Sequence, residues 1–275
     1  MTSAALTDRE PRPLDLVRQI VVISALVFMV IAALVGAGVF GGTPIAQAQG
    51  GALAADATVL APATPAFSIW SVIYFGLTAY TIWQALPAQR GTMRQRAMGW
   101  WIALTMVLNG LWIVTVASWT LWGTTLAIFV LLAALGITLQ RAVVTRMPRG
   151  GILDALLIDA VTGLHLGWVA VASVANVTAW LTAIGPTEWA DHAQAWGIAV
   201  IAVVAVIGLA IARASGWRVA PGLALAWGLV WIAVGRLADQ PRSEPIGIAA
   251  VIAAIAVLGT PLAVAGLRSI RPQGD

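Results

Sequence analysis

Residues 160–183, AVTGLHLGWVAVASVANVTAWLTA, form an apolar run longer than the ~20 helical residues that cross a hydrocarbon core. The run nevertheless holds His165, Trp168 and Asn176. At ~3.6 residues per turn, these three fall with Ala172 at i, i+3, i+7 and i+11, so imidazole, indole and amide make a single stripe. Facing lipid, the imidazole and amide would lack partners at a cost on the order of a few kcal/mol each. The stripe therefore faces other helices or a cavity. Two readings stay open: a packed seam in which Asn176 bonds across helices, or the wall of a ligand pocket.

The rest of the chain repeats the long apolar run. Of 275 residues, 60% are hydrophobic and 9% charged, with a mean hydropathy of +0.92, which places the chain among all-α polytopic membrane proteins. The absence of cysteine excludes disulfides, thiolate catalysis and thiolate metal sites. All 15 basic residues are arginine; in such a chain they set orientation and do not mark nucleic-acid binding. Fourteen tryptophans stand against two tyrosines and five phenylalanines, and interfacial placement is the plain reading for any near a span end.

In order, residues 1–15 read as a disordered tail and 17–40 as the first helix, with no cleavable signal evident. Residues 41–66 form a Gly, Ala and Pro-rich connection too weakly apolar to span, of a length that is usually functional or disordered. Helices are expected near 67–86, 98–118, 121–140, 153–183, 195–213, 219–237 and 246–267, eight in all. Asp154 and Asp159 sit where a helix N-terminus favours acids, which is the preferred reading over a proton relay. By loop, thirteen arginines fall on one side and two, Arg236 and Arg242, on the other. By the positive-inside rule both termini are cytoplasmic and 41–66 lies outside. A re-entrant seventh helix would carry the C-terminus across.

Two distant histidines make no metal site, and no hydrolase, kinase or dinucleotide motif occurs. Few ionisable groups lie within spans, which argues against a carboxylate-driven pump. What remains is indole, phenol, amide and imidazole concentrated in helices two, three and five. Such a lining suits a flat, largely apolar ligand with a few polar edges.

The segments FSIWSVIY, LNGLW and LGWVAVASVANVTAW, each on its own helix and in this order, resemble the tryptophan-rich sensory protein family (TspO/MBR), which includes the mitochondrial translocator protein. The matching positions are Trp70 with Tyr74, Asn109 with Trp112, and Trp168 with Asn176. The resemblance covers about residues 16–185 and implies a five-helix bundle whose pocket, capped by the loop between helices one and two, binds porphyrins and other flat hydrophobic compounds. It also implies dimerisation. Three departures stand out: Leu164 and His165 replace the family's Pro-Tyr, the 41–66 loop has no aromatic residue, and the cholesterol-type motif is missing. The loop departure weakens any carry-over of light-dependent porphyrin breakdown.

The expectation is thus a five-helix ligand-binding bundle at 16–185 followed at 186–275 by three additional transmembrane helices and a short tail. It is a non-enzymatic sensor or regulator in a bacterial inner membrane, surrounded by lipid, with no obligatory cofactor, no nucleic-acid partner and a homodimer open. Its ligand, small and hydrophobic, is of the tetrapyrrole or haem class. Trp70, Tyr74, Asn109, Trp112, Trp122, His165, Trp168 and Asn176 are the expected lining. His165 could also ligate haem iron, although a helix-end histidine bonded to a carbonyl is the preferred reading. The alternative is a small secondary transporter whose path helices six to eight complete. A third reading, an enzyme acting on bound porphyrin, requires product formation.

Overall fold

The computed structural model describes residues 10–146 and 151–270. Residues 1–9 of the expected tail, Arg149 and residues 271–275 lie outside them. Among the described residues there are eight helices long and apolar enough to cross a membrane. They are α1 (Pro13–Gly36), α2 (Ile69–Ala85), α3 (Met93–Ser118), α4 (Leu121–Val144), α5 (Val161–Ile184), α6 (Ala193–Ala214), α7 (Val219–Ala238) and α8 (Glu244–Ile270). Single turns Thr64–Ser68 and Thr187–His192 extend α2 and α6, and a π-helical turn Ala155–Ala160 joins a short start at Ile152–Asp154 to α5.

α1 begins four residues earlier than its hydropathy suggests. Pro13 occupies the first helical turn, where its missing N–H costs nothing, and the Asp15 carboxylate reaches back to the Arg12 N–H at 2.9 Å. α3 likewise starts at Met93, where the Thr92 hydroxyl accepts from the Gln95 N–H. α1 packs on α3, α3 on α4, α4 on α5, α5 on α7, α7 on α8 and α8 on α6, while α2 lies more sparingly against α1 and α5. Glycines permit the closest of these approaches. A Cβ on Gly167 would stand 2.2 Å from the Pro221 carbonyl oxygen of α7, and one on Gly222 would stand 2.5 Å from the Val257 carbonyl of α8.

α7 is a continuous helix of 20 residues, ~30 Å at 1.5 Å per residue, so it is long enough to cross in full, with no break of the kind a re-entrant segment needs. Its start and end are tied to opposite ends of the bundle. Arg218 donates to Asp159 at 3.3 Å, and Arg236 donates to the Thr58 carbonyl at 2.8 Å.

The end that gathers the arginines is stitched by ion pairs. Arg94, 8% exposed, donates to Asp154 and Asp159 at 2.7 Å each and to the Ala142 carbonyl at 2.9 Å. Arg146 also pairs with Asp159. Asp154 stands in the first turn of the helix that opens at Ile152, and Asp159 lies further in; both are buried, and beyond their place near the helix start they compensate arginines from α3, the α4–α5 connection and the α6–α7 turn. Asp15 plays the same part for Arg18 and Arg96.

Candidate functional site

The connection between α1 and α2 folds over the opposite end of the bundle as a roof. It uses positive backbone angles at Gly38, Gly41, Gly42, Gly50 and Gly51, conformations glycine adopts without strain, and also at Gln49. The Gln49 amide justifies that conformation by donating to the Val116 carbonyl at 2.9 Å and the Thr124 hydroxyl at 3.0 Å, which pins the roof to α3 and α4.

Beneath the roof lies a cavity of about 40 Å³. Ile45, Leu53, Thr58 and Pro62 cover it; Phe67 and Trp70 come from the α2 segment, Trp112 from α3, and Trp168, Ala172 and Asn176 from α5. The α5 stripe deduced from spacing therefore does face inward. Its rings interlock: Trp168 meets Phe67 edge-on at 5.8 Å and Trp70 at 6.2 Å, and Trp70 lies tilted over Tyr74 at 5.3 Å.

Around these rings are buried polar atoms with no protein partner. They include the indole N–H groups of Trp112 and Trp168 and the carbonyl oxygens of Asn109 and Asn176. The Asn176 amide N–H donates to the Ala172 carbonyl at 2.9 Å, which leaves its oxygen turned away from its own helix's ladder. A buried polar atom without a partner costs on the order of 1–3 kcal/mol, so a group of them beside a cavity signals a guest or water.

Four of the eight expected lining residues, Trp70, Trp112, Trp168 and Asn176, line the cavity. Asn109 and Tyr74 sit beside it, joined by a weak 3.4 Å hydrogen bond. His165 is buried and touches the edge of Trp70 at 5.8 Å, but it does not line the cavity. Nor is it a helix-end residue: it lies about three and a half turns into the segment that opens at Ile152, and its Nε2 has no partner. Trp122 is placed elsewhere, in the first turn of α4 and 56% exposed. With Trp119, Trp189 and Trp196, all exposed, it sits near span ends, where indole bridges lipid and water. Phe67, which shares a helical face with Trp70 and Tyr74 but was not among the eight expected lining residues, also lines the cavity.

A family model described as TSPO-like protein matches residues 18–263. The chain belongs to the TSPO-like protein family. The match continues through α6 and α7 and into α8 as far as residue 263, so most of the segment that the motif resemblance left outside falls within the TSPO-like region. No curated protein and no solved structure matches the chain. The chain is a TSPO-like, integral membrane protein with eight long apolar helices among the described residues.

Proposed function

We propose that the chain binds a flat, largely apolar ligand of the tetrapyrrole class between the roof and helices α2, α3 and α5, and serves as a sensor or regulator. The observation that carries this reading is that three residues lining the cavity, Trp112, Trp168 and Asn176, hold unpartnered buried polar atoms, two indole N–H donors and one carbonyl acceptor, among edge-on and tilted rings. Donors and an acceptor on the lining residues suit a ligand with carboxylate edges and pyrrole N–H groups.

Ligand pockets of this kind enclose roughly 300–1,000 Å³. At about 40 Å³ the cavity has room only for water, so binding must couple to displacement of the roof. No residue of α6, α7 or α8 lines the cavity, which favours a binding role over a permeation path through those helices. The ligand is expected to be released unchanged. Both termini lie on the cytoplasmic side in this reading, with the roof outside.

Titration of the purified protein with protoporphyrin, followed by quenching of tryptophan fluorescence, tests the proposal. Trp168→Phe removes the indole donor and Asn176→Leu removes the unpartnered carbonyl together with the amide nitrogen bound to Ala172; each should weaken binding by about tenfold. Affinities equal to that of the unaltered protein in both variants would defeat the assignment of the pocket.

A further inference from the structure

The roof is fastened on a second side, and there the fastening is to α7. Arg236, in the last turn of α7, is fully buried, and its guanidinium donates to the carbonyls of Thr58 at 2.8 Å, Ala55 at 3.3 Å and Gln240 at 3.4 Å. Four residues of α7 thus meet the roof strand: the Ala63 N–H donates to the Trp231 carbonyl at 3.1 Å, the Trp227 indole donates to the Ala66 carbonyl at 2.8 Å, and Gly235 lies against Ala63. Apart from the bond to Gln240, each of these hydrogen bonds uses backbone between Ala55 and Ala66.

Arg236 has no salt bridge among the described residues; backbone carbonyls, with the carboxylates of Asp56 and Asp239 nearby, offset the burial of its charge. That cradle exists only while residues 55 and 58 rest on the end of α7. Beside it opens an outer hollow of about 590 Å³, walled by Ala54, Ala55 and Asp56 of the roof and by Gly235, Arg236 and Asp239. Ala54 also borders the inner cavity, so one thickness of roof chain separates the two spaces. On its flank α7 is packed tightly to α5, with Gly167 against Pro221 and Gly228 against Val171, and Trp231 packs on the core that holds Trp168.

We propose that Arg236 is the catch that holds the roof shut, and that a ligand enters the inner cavity from the outer hollow when residues 52–58 lift from α7. The entry step rests on the ligand-binding reading above; the catch does not. The absence of native cysteine allows a clean test. Ala172→Cys places a single thiol on the inner cavity wall, and its reaction with a membrane-impermeant maleimide reports opening of the roof.

Arg236→Gln in that background should speed labelling by about tenfold or more, the change expected from lost hydrogen bonds to a charged group. Trp227→Phe keeps the ring and loses one N–H, so it should speed labelling severalfold even if Arg236→Gln folds poorly. Labelling rates unchanged in the folded variants overturn the catch. Protoporphyrin association, measured in parallel, should quicken with Arg236→Gln. Faster labelling without any porphyrin binding would retain the catch and overturn both the entry step and the ligand reading.

Discussion

Asn176 shows how much one side chain can decide. Its amide N–H is spent on its own helix and its oxygen is left unpaired within 4% exposure, so Asn176→Leu removes an unmet acceptor as well as a ligand contact. In ligand-free protein that substitution should be neutral or stabilising in a thermal melt while porphyrin affinity falls; a large loss of stability would instead indicate a packed seam. His165 carries a second expectation. Because it stands at the edge of Trp70 and not on the cavity wall, the haem Soret maximum should be the same for His165→Ala as for the unaltered protein, and a displaced maximum would make it an iron ligand. At this scale the sequence was informative where periodicity operates: His165, Trp168 and Asn176 share an inward face because helix geometry leaves no alternative. It was uninformative about depth. Nothing in the spacing of Trp122 distinguishes a wall from a membrane interface, since either position rewards indole.

The helices reveal a different rule, that their contacts depend on what is missing from a side chain. Gly167 and Gly136 are both helical glycines, yet a Cβ at Gly167 would collide with the Pro221 carbonyl while one at Gly136 would meet nothing within 4 Å. Gly167→Ala should therefore cost about 1–3 kcal/mol by forcing α5 from α7, whereas Gly136→Ala should gain about 0.5–1 kcal/mol in helix propensity. Thermal melts in one detergent, opposite in sign, check the pair. The existence of all eight helices could be read from hydropathy, because a backbone in lipid must satisfy its own hydrogen bonds. Their starts could not: Pro13 to Asp15 and Met93 to Arg96 look polar, and only capping geometry and ion pairs draw them into helix. The partnership of α5 with α7 was also hidden, since small residues on two apolar helices announce close packing but not with whom.

For the molecule as a whole, the distribution of arginine fixes which ends lie together, and the ion pairs from Asp15 and Asp159 draw those ends into one layer. A fluorescent protein fused after the last residue should be bright, and alkaline phosphatase fused within residues 45–50 should be active; the reverse pattern would invert the orientation. Arg236 was counted among the charges of the far side, but its burial against the roof makes it a structural cation and not a topological marker. The roof itself was recognisable as a long connection, whereas its fastening to α7 depends on backbone carbonyls that no side-chain pattern records.

Asp159 receives arginines from three separate stretches of chain, and Asp159→Asn should cost on the order of 3 kcal/mol by stranding them. A knot of this kind makes the bundle mechanically lopsided. The helices are moored by ion pairs at one end and by single hydrogen bonds to backbone at the other, so loosening is expected first at the far rim, where α7 meets the chain above the hollow.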